Sequence, residues 1–400
     1  MPEEVPVRGE GNRMTERKRI LLVTNLYPPH ARGGAEWVAA DIAEYLSAAG
    51  FDLQILTSRG TASSARKTSS PPKVFRLLIE RAGRRPEDFA GRLRHLILDE
   101  YYDPVNAAFF RATLERFRPH LIYLNAPTGL SHAPFLLSLR TRLPLLIHLH
   151  DYWLRDFLAH RKLGFLNRSL FNRQVARKES RISLVAVSER VAELYGPFLP
   201  PGISLEVVPN GVRPPSMVPP KDDERKDCLY CGRISRAKGL HVLASSSIRC
   251  DVLGDPNNEY ARECQRIAGN RLHFLGRVDR CRVPEIMSRY RILLLPSLWE
   301  EPCPLTLLEA MSVGCIPVAS RIGGIPELVA PTGQQPCGIL VEPGDAKGLE
   351  KAAKSVLEDK ARRLRLSNQA IFLARNHFPL NKTLQRIETI CRRLMDFRSK

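Results

Sequence analysis

Two glutamates, Glu301 and Glu309, are separated by seven intervening residues in a stretch that changes structure several times. The apolar residues 292–295 predict a buried strand, and a loop with two carboxylates and two prolines follows it. Residues 305–313 then predict a helix that contains Glu309. Ligands of doubly wound sheets bind beyond the carboxyl ends of the strands. We therefore expect both carboxylates to contact a single ligand, one from the loop and the other from the helix.

Two basic residues, Arg233 and Lys238, follow the strand predicted at residues 228–232. Since the carboxyl ends of parallel strands meet at one edge of a sheet, we expect these cations to lie beside Glu301 and Glu309. Arginine and lysine neutralise phosphate oxygens, and carboxylates accept hydrogen bonds from sugar hydroxyls. The four side chains predict a ligand with a diphosphate at one end and hydroxyls at the other. The sequence has no Asp-x-Asp motif, so we expect no metal and no cofactor, and the two cations would do the work of Mg²⁺.

The first half of the chain carries further candidates at the ligand edge of its own predicted sheet. Gly33 and Gly34 precede a helix predicted at residues 37–49, where free backbone N–H groups and the helix dipole favour an anion. The alternative is a tight turn without a ligand. His150 ends the strand predicted at residues 145–150 and so lies at the ligand edge. Its alternative role is a hydrogen bond to the loop backbone.

The chain contains two series of strand–helix units with a proline-rich segment between them. Residues 19–212 form the first series, residues 222–376 form the second, and residues 213–221 predict a semi-rigid linker. Residues 377–400 predict a C-terminal helix that packs back toward the first domain, and residues 1–18 predict a disordered leader. We predict an α/β protein with two Rossmann-like domains that face a central cleft.

The composition is that of an ordinary globular protein, with 44% hydrophobic and 26% charged residues. No apolar run approaches the roughly 20 residues of a membrane span, and we find no secretory signal, so we expect a cytoplasmic protein. The net charge of +19 is concentrated in residues 59–94, residues 155–181 and the last forty residues. These segments are either solvated helix faces or a surface for an anionic partner: a phosphate-bearing substrate, an anionic lipid surface or nucleic acid.

Two local patterns have structural interpretations. All nine cysteines lie after residue 227, and Cys228 and Cys231 have the CxxC spacing within a predicted strand. Because alternate residues of a strand point to opposite faces, we predict buried, reduced thiols and no zinc or redox site. Residues 74–118 are predicted to be mostly helical.

A set of short motifs extends in order over residues 19–376. The motifs are Gly33-Gly34-Ala35-Glu36, His150-Asp151, Ser188, Pro209-Asn210-Gly211-Val212, Gly232-Arg233, Lys238-Gly239, Leu275-Gly276-Arg277, the Glu301/Glu309 pair and Gly323-Gly324-Ile325-Pro326-Glu327. Their order and spacing resemble the family-4 retaining glycosyltransferases of GT-B fold. The resemblance implies metal-independent transfer of a hexosyl group from a nucleotide-diphosphate sugar, with retention of configuration.

The resemblance also implies a role for each matching residue. Arg233 and Lys238 would bind the donor diphosphate and stabilise it as a leaving group. Glu301 would contact the donor sugar near the reacting carbon, and His150 would touch the transferred sugar. The implied donor-binding residues are Gly33, Gly34, Arg277, Val278, Pro302, Cys303, Pro304, Leu305 and Glu309. The second domain would thus bind the donor, and the first would bind the acceptor.

The implied partners are a nucleotide-sugar donor and a glycan or lipid-linked acceptor, such as a glycolipid or surface-polysaccharide precursor. The basic segments then favour a peripheral position on the inner face of the plasma membrane. A nucleotide-sugar epimerase of the same fold is an alternative, but it needs acid and base groups for C–H abstraction, and no second histidine is expected at the cleft. A basic nucleic-acid-binding protein is a remote alternative that rests on charge alone. Residues 299–304 depart from the glycines and aromatic residue of many relatives, so the sugar stays open.

Overall fold

The computed structural model describes residues 17–59, 72–80, 101–161, 163–177 and 181–396. The predicted leader, apart from its last two residues, lies outside the described residues, as does most of the basic segment at residues 59–94. The described chain forms two parallel sheets with helices packed against them. This arrangement confirms the predicted fold class of two Rossmann-like α/β domains.

The first domain is built around a sheet of seven described strands. The strands are β1 (Arg19–Thr24), β2 (Asp52–Ser58), β3 (Lys73–Leu78), β4 (Leu121–Asn125), β5 (Leu145–Leu149), β6 (Ile182–Ala186) and β7 (Ser204–Val207). The described helices are α1 (Gly34–Ala48), α2 (Pro104–Phe117), α3 (Ala133–Arg140), α4 (Trp153–Leu158), α5 (Gly164–Arg177) and α6 (Glu189–Tyr195). The strand order across the sheet is β3-β2-β1-β4-β5-β6-β7.

The second domain repeats this plan with six strands. The strands are β8 (Lys226–Cys231), β9 (Cys250–Leu253), β10 (Leu272–Gly276), β11 (Tyr290–Leu295), β12 (Ile316–Ser320) and β13 (Ile339–Val341). The helices that follow in the chain are α7 (Leu240–Ala244), α8 (Glu259–Ala268), α9 (Val283–Ser288), α10 (Leu305–Ser312), α11 (Ile325–Val329), α12 (Ala346–Glu358), α13 (Lys360–Asn376) and α14 (Leu380–Asp396). The strand order is β10-β9-β8-β11-β12-β13.

Both sheets are doubly wound, and their central strands are buried on both faces. Every residue of β5 and of β12 is buried, as the continuous apolar sequence of a parallel central strand requires. The strand order reverses next to β1 in the first sheet and next to β8 in the second. Such reversals open a crevice at the carboxyl ends of the strands. The loops after β1, β8 and β11, beside these crevices, carry the predicted site residues Gly33, Arg233, Lys238 and Glu301.

The last helix, α14, returns from the second domain and packs on the first. Its apolar residues Leu384 and Ile387 are buried in the same core cluster as the strands of the first sheet. The hydroxyl of Tyr45 on α1 donates a hydrogen bond of 2.9 Å to Glu388. The hydroxyl of Thr383 donates one of 2.9 Å to the carbonyl of Pro209. The two domains are therefore joined through this helix as well as through the linker.

The structure corrects one local prediction and supports another. Residues 74–118 were predicted to be mostly helical, but residues 74–78 belong to strand β3 on the edge of the first sheet, and α2 begins only at Pro104. The edge of β2 provides the hydrogen-bonding partner that local sequence cannot reveal. Cys228 and Cys231 belong to different apolar clusters on opposite faces of their sheet. All nine cysteines are free, and all but Cys281 are buried.

Among the described helices, none has the length and apolar character needed to cross a membrane.

Candidate active site

The predicted catalytic residues Lys238 and Glu301 form an ion pair. Lys238 ends the 3₁₀ turn Arg236–Lys238 that follows β8, and its ammonium group contacts the Oε1 atom of Glu301 in the loop after β11. The hydroxyl of Ser297 donates a hydrogen bond of 2.8 Å to the same oxygen. The Glu301 side chain is only 5% exposed. A carboxylate buried to this degree needs a counter-charge, and Lys238 supplies it.

Close backbone packing holds Lys238 in this position. The next residue, Gly239, has φ +69°, and a Cβ atom there would lie 1.8 Å from the carbonyl oxygen of Pro296. The backbone N–H of Leu298 donates a hydrogen bond of 2.9 Å to the carbonyl of Ala237. The turn after β8 therefore lies directly on the loop after β11, and only glycine fits at the point of contact.

The other predicted phosphate ligand, Arg233, is exposed at the same sheet edge. Its carbonyl accepts a hydrogen bond of 2.9 Å from the hydroxyl of Tyr230. Its guanidinium makes no hydrogen bond or ion pair with any residue that the structure describes. The predicted base-flanking residues Arg277 and Val278 follow β10, with Arg277 exposed and Val278 half-buried. The charge of Arg233 is thus available to an anion in the cleft.

Glu309 lies on α10 with its side chain buried and paired to an arginine that the motifs did not single out. Arg280, in the 3₁₀ turn Arg280–Arg282, contacts the Oε1 atom of Glu309. Burial raises the pKa of Glu309 to about 7, and the charge of Arg280 acts in the opposite direction. The Arg280 guanidinium also lies 5.5 Å from the ring centroid of Trp37 on α1. Arg280 therefore connects the predicted ribose ligand to the first domain.

The loop before α10 is anchored to the first domain. The side-chain amide of Asn210 donates a hydrogen bond of 3.0 Å to the carbonyl of Cys303. Burial raises the pKa of the Cys303 thiol to about 12, so it stays protonated and unreactive. Pro302 is buried, and Pro304 is the residue that precedes α10. The loop thus offers its backbone, not a reactive side chain, to the cleft.

The two glycines at the start of α1 approach this loop from the opposite side. A Cβ atom at Gly34 would lie 3.1 Å from Cδ1 of Leu305. The backbone N–H of Gly33 donates a hydrogen bond of 3.0 Å to the carboxylate of Glu36 within the same turn. The glycine turn of the first domain and the first residue of α10 therefore lie in contact across the cleft. The structure brings these predicted donor-binding residues together.

His150 follows β5, and its hydrogen bonds define the tautomer. The amide nitrogen of Asn125 donates to the carbonyl of Ala35 at 3.2 Å, so its Oδ1 atom accepts from Nε2 of His150 at 3.0 Å. The Nδ1 atom of His150 is then an acceptor. Burial lowers the pKa of His150 to about 3, so the ring is neutral. His148 lies behind it with ring centroids 4.0 Å apart, but it is fully buried and does not reach the cleft.

A second group of contacts connects the first domain to the second domain near the site. The carboxylate of Glu327, at the start of α11, accepts hydrogen bonds of 2.8 Å from the backbone N–H groups of Glu189 and Arg190. The Arg190 side chain pairs with Glu300 at 2.9 Å. The hydroxyl of Tyr152 donates a hydrogen bond of 3.1 Å to the carbonyl of Glu300. These contacts fix the acidic loop against the N-terminus of α6.

Sequence reasoning located the cations and carboxylates but missed the residues that connect the domains. Arg280 could have been found by the rule that identified Lys238, because it also follows a strand at the ligand edge. Trp37 could not be recognised from the sequence, since an aromatic residue on an amphipathic helix is more often part of the core.

Among the described residues, no group of three or more His, Cys, Asp and Glu side chains could hold a metal ion. Metal independence stays a prediction.

Two doubly wound domains that face each other across a cleft define the GT-B architecture. A family model for glycosyl transferases group 1 matches residues 216–371, and one for a glycosyl transferase 4-like domain matches residues 33–211. The chain therefore belongs to the family-4 glycosyltransferases of GT-B fold, as its motifs indicated.

Individual relatives agree with this membership. Glycogen synthase from Mycobacterium tuberculosis is 26% identical over 388 residues, which cover 88% of this chain and 90% of that protein. Sucrose-phosphate synthase from Thermosynechococcus elongatus superposes with a TM-score of 0.75 at 20% identity, over 94% of this chain and 99% of that one. Anabaena Alr3699/HepE in complex with UDP-glucose gives a TM-score of 0.68 at 21% identity, over 94% and 99%. The two structural matches show the common fold, and none of the three supports the epimerase alternative.

Proposed function

We propose that this protein is a retaining glycosyltransferase that moves a hexosyl group from a nucleotide-diphosphate sugar to a hydroxyl of a glycolipid or surface-polysaccharide precursor. The observation that carries the proposal is the Lys238–Glu301 pair at the carboxyl edge of the second sheet, the edge at which the exposed Arg233 also lies. Two cations and a carboxylate at one sheet edge suit a ligand that is anionic at one end and rich in hydroxyls at the other.

The two cations would stabilise the leaving group. Negative charge develops on the diphosphate as its bond to the sugar breaks, and fixed cations in a cleft sheltered from water lower that barrier by several kcal/mol. Lys238 is held in place by its turn and by Glu301. Arg233 has no ion-pair partner among the described residues, so it can bind an anion without breaking an existing pair. Arg233 and Lys238 would therefore do the work that a divalent metal does in other transferases. Metal independence rests on this argument.

The remaining residues would orient the donor. Glu309 would accept hydrogen bonds from the ribose hydroxyls, and the backbone of Pro302 to Leu305 would cradle the sugar and phosphates. The neutral ring of His150 presents Nδ1 as an acceptor, which suits a sugar hydroxyl better than a phosphate oxygen. The glycine turn at Gly34 would approach the diphosphate from the first domain.

Retention of configuration would follow from attack on the same face of the sugar that the leaving group departs from. The bond between the anomeric carbon and the phosphate oxygen breaks, and the acceptor oxygen forms its new bond on that face. The acceptor proton passes to the departing phosphate. This route suits a site in which Glu301 is already paired with Lys238 and so makes a poor nucleophile.

A thermal-shift panel tests the donor assignment. UDP-, GDP- and ADP-sugars are added to the purified protein at rising concentrations, without metal and with EDTA. We expect sugars of one base to raise the melting temperature, because a ligand at 100 times its Kd stabilises by about 2.7 kcal/mol. Glu309→Gln should reduce the shift for that base. A parallel series contains Mg²⁺ in place of EDTA. The absence of a shift for every nucleotide, or a shift only in the Mg²⁺ series, would contradict the proposal.

We also propose that the acceptor side lies on an anionic membrane surface and that α5 makes the contact. Phe165 and Leu166 at the start of α5 are 78% and 62% exposed. The exposed arginines of this region are Arg161, Arg168, Arg173 and Arg177, and residues 161–177 include no acidic residue. Exposed apolar side chains ringed by cations suit the headgroup region of an anionic bilayer.

Liposome co-sedimentation tests this surface. Wild-type protein should sediment with vesicles that contain phosphatidylserine and stay in solution with phosphatidylcholine alone. The F165S/L166S variant should lose most of this binding. A matched control is L364S/F372S, which removes two exposed apolar residues of another basic helix, α13. Equal recovery with both lipids, or unchanged binding of F165S/L166S, would refute the membrane proposal and leave the transferase proposal intact.

A further inference from the structure

Arg280 contacts both domains at the cleft although none of the motifs includes it. It follows β10, and its side chain is 31% exposed. One guanidinium nitrogen contacts Oε1 of Glu309 in the second domain. The same guanidinium lies over the ring of Trp37, which belongs to the first domain, at 5.5 Å from the centroid. This distance is within the range of a cation–π contact.

Glu309 depends on a neighbouring cation for its charge. Burial raises its pKa to about 7, Asp41 on α1 adds to this effect, and Arg280 opposes it. Among the described residues, the thiol of Cys231 on β8 also faces Glu309; burial raises its pKa to about 12, so it is neutral. Arg280 is thus the counter-ion that favours the ionised form of Glu309. A protonated Glu309 would accept hydrogen bonds less well.

We propose that Arg280 is a positioning residue of the donor site: it holds Glu309 as an oriented carboxylate for the ribose hydroxyls and ties that carboxylate to Trp37 across the cleft. The proposal rests on the proposed function, in which Glu309 is the ribose ligand. Arg280 uses Oε1, and a carboxylate offers about four acceptor sites on its two oxygens. Oε2 therefore remains to receive a hydroxyl pair.

Trp37 extends this link to the glycine turn. Trp37 lies in the first turn of α1, three residues after Gly34, and Asp41 lies one turn further on the same face. The turn that approaches the diphosphate and the carboxylate that receives the ribose are therefore joined through one arginine side chain. Donor binding at either point would then favour the observed position of the other.

The proposal predicts a specific pH dependence. Glu309 must be ionised to bind, and its pKa in the folded protein is raised to about 7, so wild-type affinity should fall as the pH drops below 7. Loss of Arg280 removes the influence that lowers this pKa. In Arg280→Gln the loss of affinity should therefore begin at a higher pH. Well above that pH, Glu309 is ionised in both proteins, and their affinities should converge.

Calorimetric titration of the full chain with UDP, GDP and ADP tests the proposal. With the tightest of the three, R280Q should bind about 10-fold more weakly than wild type at pH 7 and within roughly threefold at pH 9. Arg280→Lys should recover part of the affinity, because it retains the charge. Glu309→Gln should bind weakly with a flat pH profile. Adding R280Q to that background should cause no further loss, since the two residues act as one unit.

Three results would overturn the proposal. They are equal affinity of R280Q and wild type at both pH values, a loss that does not recover at pH 9, and a full R280Q effect in the Glu309→Gln background. Each would assign Arg280 a structural role at most. Unfolding midpoints of all variants distinguish weakened binding from weakened folding. If none of the three nucleotides binds wild type, the proposed function itself fails, and that failure is visible before any variant is made.

Discussion

At the residue scale, each buried carboxylate of the site is neutralised by a cation of its own domain. Glu301 pairs with Lys238, and Glu309 pairs with Arg280. A buried carboxylate that loses its partner costs several kcal/mol, so the pairs allow both acids to lie in the wall of the cleft. Arg233 differs, because it is exposed and has no partner among the described residues. The site thus combines two neutral pairs with the uncompensated positive charge of Arg233, which suits an anionic ligand.

Replacing Lys238 by alanine should lower kcat by about 10²- to 10³-fold, because the lost ammonium group would stabilise the charge that develops on the leaving diphosphate. Binding of the nucleoside diphosphate should weaken much less, since Arg233 and Glu309 remain. Steady-state kinetics and calorimetric titration measure the two effects separately. Lys238→Arg retains the charge and should keep more of the turnover.

The same substitution leaves Glu301 buried without a counter-charge, so a folding effect must be separated from the catalytic one. The double variant K238A/E301Q removes the orphaned charge and should regain stability but not turnover. Unchanged turnover of K238A with intact donor binding would refute the assignment of Lys238 to the leaving group. Recovery of turnover in the double variant would show that the defect lay in folding.

At the element scale, the site is formed by loops that pack on one another at the carboxyl edge of the second sheet. The turn Arg236–Lys238 rests on the loop after β11, and Gly239 makes the closest approach. The loop after β11 is in turn fixed by Gly324, whose backbone N–H donates a hydrogen bond of 2.7 Å to the carbonyl of Glu301. The loops after β8, β11 and β12 therefore together determine where the Glu301 carboxylate lies.

Gly239→Ala should destabilise the protein more than an ordinary glycine substitution at positive φ. Its Cβ would lie 1.8 Å from the carbonyl oxygen of Pro296, so the turn must move in addition to adopting an unfavourable backbone conformation. We expect a loss of more than about 2 kcal/mol in the free energy of unfolding, measured by urea denaturation. Gly333→Ala is the matched control, because Gly333 also has positive φ (+76°) but no atom within 4 Å of its Cβ position. Equal losses of unfolding free energy in the two variants would show that the close approach of residue 239 to Pro296 does not affect stability.

The convergence of Lys238 and Glu301 could be predicted from the sequence, because both follow strands and parallel strands end at a common edge. The same reasoning placed Gly34 and His150 at the edge of the first sheet. It could not show that Arg280 pairs with Glu309, since that contact depends on how a turn after β10 folds over α10. Residues 74–78 were assigned to a helix for a similar reason. Their strand is stabilised by hydrogen bonds to β2, and this pairing cannot be inferred from the local sequence pattern.

At the scale of the whole molecule, hydrogen bonds between the domains hold the two ligand edges close together. Glu327 receives both backbone N–H groups at the start of α6, and Asn210 binds the carbonyl of Cys303. Helix α14 crosses back to α1 and buries Ile387 in the first core. The relative position of the domains is thus set by polar contacts near the cleft and by apolar packing away from it. Polar contacts near the cleft can exchange with water more readily than a buried core, so we expect them to be the weaker of the two connections.

Glu327→Ala should weaken the observed contact between the domains without unfolding either domain. It removes two hydrogen bonds to a charged acceptor, each worth about 1.5–3 kcal/mol, while the core packing of α14 remains. Small-angle X-ray scattering should give a larger radius of gyration than for wild type. Catalytic efficiency should fall about 10- to 100-fold, because small displacements of the reacting groups are costly. The matched control is Glu193→Ala, which removes an exposed carboxylate that also contacts Arg190, at 3.5 Å, but lies on the same helix. Wild-type scattering and efficiency in Glu327→Ala would mean that α14 and the linker alone position the domains.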